Sequence, residues 1–329
     1  MEFIESLFKL KDHKTSFKRE VLAGLATFLT MAYIMVVNPA ILSETGMDFD
    51  SVFVATILAS FVACMLMGIL ANWPVALAPG MGLNAFFTYA VVFGMGFTWQ
   101  QALAAVFCSG ILFLLISISP LRAYLINAIP RSLKFGIGAG IGLFLAIIGL
   151  KNAGIVVDNP ATLVGLGDLK SAPVLLALLT FTLMIALDKL KIPGAIVISI
   201  LSTTVLGFIF GVAQFQGFAS SIPSMSPTFM QLDFSSIGSS LFLIVIFTIL
   251  FVDFFDTAGT LTSVANLSGK VDKDGNVENI QKAVFSDSIA TIVGSIFGTS
   301  NTTSYIESGA GIKEGGKTGL VAVAVGIFF

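Results

Sequence analysis

The sequence predicts an all-α polytopic membrane protein built as an inverted repeat of seven transmembrane segments. Three observations carry that expectation. The 329 residues are 56% hydrophobic and only 11% charged, with a mean hydropathy of +0.97, whereas soluble domains carry about 25% charged residues. Apolar windows long enough to cross about 30 Å of hydrocarbon recur along the chain. Two shorter apolar pieces, interrupted by glycine and proline, fall at corresponding places in the two halves.

Taken in order, residues 1–19 form a charged N-terminal segment. Its start, MEFIESLFKLKDHK, has too short an apolar stretch for a cleavable signal and reads as an amphipathic helix lying on the membrane surface. Spans are expected near 21–42, 51–70, 99–119, 133–150, 171–187, 193–212, 240–267 and 280–298. The broken pieces lie at 80–93 and 302–312. A last apolar run begins at Thr318 and reaches Phe329, too short to span. The chain is therefore expected to stop inside its eleventh segment. Residues 20–238 make the first repeat, segments one to seven; residues 239–329 begin the second, with segments eight to ten and part of eleven.

Counting the broken pieces as crossings places fifteen of the seventeen lysines and arginines on one face, with only Lys151 and Lys170 opposite. By the positive-inside rule the N-terminus is cytoplasmic, and the protein is placed in the cell membrane. Without those two crossings the later loops would invert and the bias would collapse. The first span then enters from the cytoplasm and the eighth from outside. Seven is odd, so the repeats are inverted. Interrupted segments at matching places in two inverted halves, here ANWPVALAPGMGLNAFF (71–87) and FGTSNTTSYIESGAG (297–311), point to a solute-binding site.

Of nineteen acidic residues, only Asp253, Asp256, Asp287 and Glu307 fall within the expected segments. A charge near the bilayer centre costs about 2.5–3.5 kcal/mol on insertion scales, so each is expected to face protein or a wet cavity. Asp253 and Asp256, three apart in LFVDFFDTAG, share roughly one side of a helix. Like charges that close favour each other's protonation, which makes the pair a candidate proton carrier; the alternative is a structural pair bonded to Thr257, Thr260 and Thr262. Asp287 sits near the entry of its span and is expected to reach the interface. Glu307 follows the polar run TSNTTSY, where a half-helix would aim N–H groups at a ligand and the carboxylate would accept from a ligand N–H. Across the symmetry, Asn84 offers a bidentate amide, and Phe86 or Phe87 a stacking face. A planar heterocycle with donors and acceptors on its edge fits such a site; helix packing is the alternative for Asn84 and the aromatics.

Other patterns are set aside. GIKEGGKT (311–318) matches the phosphate-loop pattern but joins two membrane segments, with no soluble α/β domain around it. DKDGN (272–276) lacks full calcium-loop spacing, and GIGAGIG (136–142) is read as close helix packing. Cys64 and Cys108 read as buried thiols, and His13 is the only histidine. No metal site, cofactor, nucleic-acid partner or serine hydrolase triad is expected.

FLTMAYIMVVNPAIL (28–42), ALAPGMGLNAFFTY (76–89), LFVDFFDTAGTL (250–261) and TSNTTSYIESGAGI (299–312) closely resemble the AzgA-like purine permeases, relatives of the uracil and xanthine permeases in the nucleobase–cation symporter family. The resemblance covers essentially the whole chain. It implies fourteen segments in two inverted repeats, divided into core and gate domains, with short strands in segments three and ten and substrate between them. It also implies proton-driven import of hypoxanthine, guanine or adenine, with sodium as the alternative ion, and pairing of two copies through the gate domain. Carried over by motif, Asp253 and Glu307 bind the purine and couple it to protons, Asp256 supports Asp253, Asn84 lines the site, and Ser304 and Tyr305 shape it. Two other readings stand beside this one. An anion transporter of the same architecture would need a cation at the site, and neither break has one. An intramembrane aspartyl protease would need its two aspartates on facing helices.

Overall fold

The computed structural model describes residues 2–119, 131–160, 162–192, 194–214, 221–271 and 277–329. DKDGN at 272–276 lies outside them. Two compact units form, one of residues 1–138 and 223–329, the other of residues 139–222. Five helices among the described residues are long and apolar enough to cross a membrane.

In the larger unit, α1 (Glu2–Leu7) precedes α2 (Phe17–Met31), which starts where Ser16 accepts a hydrogen bond from the Arg19 N–H. The first expected span is two helices, because the chain turns at Ala32 and Tyr33 before α3 (Ile34–Ser43). Asp48 caps α4 (Phe49–Leu66) by accepting from the Ser51 N–H at 2.8 Å and the Ser51 hydroxyl. Those two bonds hold its carboxyl below the usual carboxylate range. α4 loosens into a π turn (Met67–Ala71) and stops at Asn72, whose left-handed φ of 54° reverses the chain.

Strand β1 (Leu77–Pro79) leads into α5 (Met81–Ala85), which continues as a π-helix over Phe86–Gly94. α6 (Trp99–Ile118) opens on a reciprocal capping box between Thr98 and Gln101. α7 (Arg131–Asn152) follows, with a Cβ at Gly136, Gly140 or Gly142 meeting nothing within 4 Å among the described residues. The close packing expected of GIGAGIG is found instead at other glycines.

The smaller unit holds an antiparallel hairpin of β2 (Val156–Asn159) and β3 (Leu163–Leu166), where only a loop was expected. α8 (Ala172–Lys189) and α9 (Ala195–Ile209) pack on each other and expose apolar side chains along their lengths, as lipid-facing helices do.

Returning to the larger unit, α10 (Ser240–Ser268) is capped by Ser239, and α11 (Ile280–Phe297) ends at Gly298. Strand β4 (Thr302–Ser304), the short α12 (Ser308–Lys313) and α13 (Gly319–Phe328) complete the chain. α4, α6, α10 and α11 enclose a core of Phe113, Leu250, Phe254, Leu261 and Val264, and α13 lies along α2 and α4.

The turn between α12 and α13 explains the phosphate-loop pattern. Glu20, fully buried in the first turn of α2, accepts from the Lys317 N–H (3.0 Å), the Thr318 N–H (3.0 Å), the Thr318 hydroxyl (2.7 Å) and the Thr15 hydroxyl (2.7 Å). A carboxylate of the chain thus fills the place a phosphate would take. Beside it, Asn72 accepts from the Gly319 N–H, and a Cβ at Gly319 would collide with the Gly68 carbonyl.

The N-terminal segment differs from expectation. Its helix ends at Leu7, and Phe8 and Leu10 are buried against Leu320 while the Asn72 amide donates to the Phe8 carbonyl. It docks on protein because the α13 start offers an apolar surface that buries both side chains. Replacing Glu20 with alanine leaves three buried donors unpaired at this turn, a loss of about 1–3 kcal/mol. The thermal midpoint in detergent should fall; an unchanged midpoint would mean that water satisfies the turn.

Candidate functional site

The strands after α4 and after α11 meet in the interior. β1 and β4 pair antiparallel, with Leu77 opposite Ser304, Ala78 opposite Thr303 and Pro79 opposite Thr302. Outside the ladder, the Gly80 N–H donates to the Asn301 carbonyl and the Tyr305 N–H to the Ala76 carbonyl, both at 3.0 Å. Gly80 has to lack a side chain, since a Cβ there would lie 2.9 Å from the Thr303 methyl and 3.0 Å from the Asn301 amide. Each strand runs directly into a short helix, α5 or α12.

Three polar clusters surround this ladder. In the first, Asp253, 1% exposed, accepts from the Asn301 amide at 2.9 Å and from the Thr291 hydroxyl at 2.8 Å. Asp287, fully buried, accepts from the Ser304 N–H (2.9 Å), the Ser304 hydroxyl (2.5 Å) and the Thr257 hydroxyl (2.9 Å). Thr257 and Thr303 hydroxyls, 3.1 Å apart, join the two carboxylates through the strand. β4 is therefore held by α10 on one side and α11 on the other.

In the second cluster, the Asn84 amide donates to Asn38 at 2.6 Å, and its carbonyl oxygen accepts a short hydrogen bond from the Ser300 hydroxyl. Asn38 donates in turn to Thr56 (2.6 Å) and Thr299 (2.8 Å). In the third, Glu307, half-buried at the start of α12, accepts from the Tyr33 hydroxyl at 3.1 Å. The Tyr305 hydroxyl donates to the Pro79 carbonyl.

The residues expected at a site are gathered around the strand pair but in different roles. Asp253, Asn84, Ser304 and Tyr305 are buried and bonded to protein. Asp256, one turn beyond Asp253, is exposed and lies within electrostatic reach of Glu307. Three residues along an α-helix turn the side chain by about 300°, enough to put one carboxylate against the bundle and the other at its edge. Phe86 is half-buried, and Phe87 is buried against α6 and α10.

Asp287 departs most from expectation. The sequence suggests that it reaches the interface, yet it lies about 10 Å into α11, far enough to reach the strand. Tyr33, Asn38, Thr291 and Asn301 also join these clusters without having been singled out. Tyr33 and Asn38 stand within FLTMAYIMVVNPAIL, and a tyrosine and an asparagine in an apolar run were the available signal. A pocket of about 280 Å³ elsewhere, lined by Leu70 and Lys282 among others, does not touch these groups.

Apolar helices around a buried strand pair, with polar groups gathered on both sides of it, define a multi-pass membrane permease. The Permease family model (Xan_ur_permease) matches residues 18–329. This chain belongs to that family. It is 48% identical over 330 residues to the putative permease MJ0326 of Methanocaldococcus jannaschii, covering 100% of this chain and 76% of that one. It is 44% identical to the adenine permease AdeP of Escherichia coli (99% and 73%) and 45% identical to the guanine/hypoxanthine permease PbuO of Bacillus subtilis (98% and 76%). These relatives are transporters, not enzymes. Among solved structures, the transmembrane domain of the cyanobacterial bicarbonate transporter BicA superposes with a TM-score of 0.69 at 14% identity, over 94% of this chain and 80% of that one. SLC26A9 does so at 0.63 and 14%, over 95% and 54%. At that identity the likeness is one of fold.

Asp287→Asn places an amide N–H₂ or its oxygen where two oxygens now accept three hydrogen bonds. The strand should lose about 1–3 kcal/mol, read as a lower thermal midpoint in detergent, with Asp256→Asn, at an exposed position, leaving the midpoint within error.

Proposed function

We propose that this protein imports purine nucleobases, hypoxanthine, guanine or adenine, across the cell membrane by proton symport, with its N-terminus in the cytoplasm. The observation that carries the reading is the pairing of the two interrupted segments through β1 and β4, which brings Glu307 and Asp256 to one open face beside Tyr33. It is supported by relatives at 44–45% identity whose names specify adenine and guanine/hypoxanthine. In this reading the chain follows a seven-plus-seven inverted repeat, and α5 and α12 are the half-helices of its third and tenth segments.

A purine presents ring N–H donors and ring nitrogen acceptors in one plane. Glu307 accepts from the N–H edge, Asp256 lies across the opening, and Phe86 supplies a face for the ring. Asp253 and Asp287 hold the strand that positions Glu307, and Asn84 holds the opposite strand through Asn38 and Ser300. Glu307 and Asp256 are the groups that exchange the coupled proton, because acidic side chains within a membrane segment that stand at an open side are placed to pass protons to and from water. An anion carrier, suggested by the fold neighbours, would set a positive group at the opening, where this protein sets carboxylates.

Uptake of labelled hypoxanthine into cells expressing the protein tests the reading. Glu307→Gln should raise the apparent KM about 10- to 100-fold, the worth of a hydrogen bond to a charged group. Tyr33→Phe should raise it less, and wild-type uptake should fall as external pH rises. Unchanged uptake in Glu307→Gln, or uptake indifferent to pH but dependent on sodium, would reject the assignment of ligand or ion respectively.

A further inference from the structure

Three helix ends meet on one face of the larger unit around an open pocket of about 280 Å³. It is lined by Leu70 in the π turn after α4, Ile118 at the end of α6, and Gln281, Lys282 and Phe285 in the first turns of α11. Its wall is apolar, and two of its members are open to the surroundings, Leu70 at 42% and Ile118 at 58%. Lys282 and Gln281 are exposed at its rim, no acidic side chain lines it, and Lys282 has no ion-pair partner among the described residues.

An apolar hollow at the end of membrane helices, with a free ammonium and an amide at its edge, matches an amphiphile whose head is an anion. We infer that this pocket binds an anionic phospholipid, with an acyl chain along Leu70, Ile118 and Phe285 and the phosphate at Lys282 and Gln281. A basic pocket between helices at the membrane surface is a site at which anionic head groups bind. The apolar wall selects a lipid over inorganic phosphate, and the positive rim selects an anionic over a zwitterionic head. The site is separate from the carboxylates around β4, so its occupancy does not depend on which solute the protein carries.

The test is native mass spectrometry of the full chain in neutral detergent, incubated with palmitoyl-oleoyl phosphatidylglycerol or with phosphatidylcholine of the same chains. One lysine near a membrane surface is worth about 1 kcal/mol toward anionic lipid, so phosphatidylglycerol should be retained about fivefold better. Lys282→Gln should remove the preference, while Lys313→Gln, exposed on α12, should keep it. Ile118→Trp, which fills the wall from an exposed position, should lower retention of both lipids. Equal retention of the two lipids by the wild type, or an unaltered preference in Lys282→Gln, would overturn the site. Displacement of phosphatidylglycerol by inorganic phosphate, with Ile118→Trp without effect, would overturn it in favour of a soluble-anion site.

Discussion

The pairing of β1 with β4 is the constraint on which the rest of the structure depends. Extended backbone in the middle of a helical membrane protein leaves N–H and C=O groups that lipid cannot satisfy. Here each three-residue strand answers the other, and side chains answer what remains. Asp287 takes the Ser304 N–H, and the Ser308 hydroxyl takes the Ala76 N–H at 3.0 Å. Carboxylates that look misplaced in apolar helices are therefore part of how a non-helical backbone is accommodated. Because the two strands come from distant parts of the chain, their contact also fixes the short helices that follow them.

That division separates the acidic residues by role. Asp253 and Asp287 are sealed, and their bonds run to β4, to Asn301 just before it, or to a helix beside it. Glu307 and Asp256 stand at the open side, with Tyr33 reaching Glu307 from the turn between α2 and α3. The first turn of α2 carries Glu20, which grips the turn after α12 through three hydrogen bonds, from the Lys317 N–H and from the Thr318 N–H and hydroxyl. α12 is thus tied on both sides to α2 and the turn that follows it, by Tyr33 at Glu307 before its start and by Glu20 at Thr318 after its end. A change in the first helix would be felt at the carboxylate.

Much of this was legible in the sequence, and the failures are physically informative. Long apolar runs between capping residues gave helices such as Trp99–Ile118 and Ser240–Ser268 close to their true ends. The two interrupted segments stood out because proline, glycine and hydroxyl residues are costly against lipid. The roles of the carboxylates are less legible, since Asp253 and Asp256 differ only by the helical angle between them, and Asp287 stands near a helix end in the sequence. What it meets there is a strand from a different place in the chain, which no local pattern displays. The end of GIKEGGKT closes on Glu20, which lies almost three hundred residues earlier, where no local pattern would show it.

Equilibrium binding of radiolabelled hypoxanthine to the purified protein tests the central claim most directly, when Glu307→Gln is compared with the wild type at matched thermal midpoints. The account predicts that the variant stays folded and binds about 10- to 100-fold more weakly. Wild-type affinity retained by folded Glu307→Gln would contradict it, because the strand pair would then be positioning something other than the carboxylate that binds the ligand.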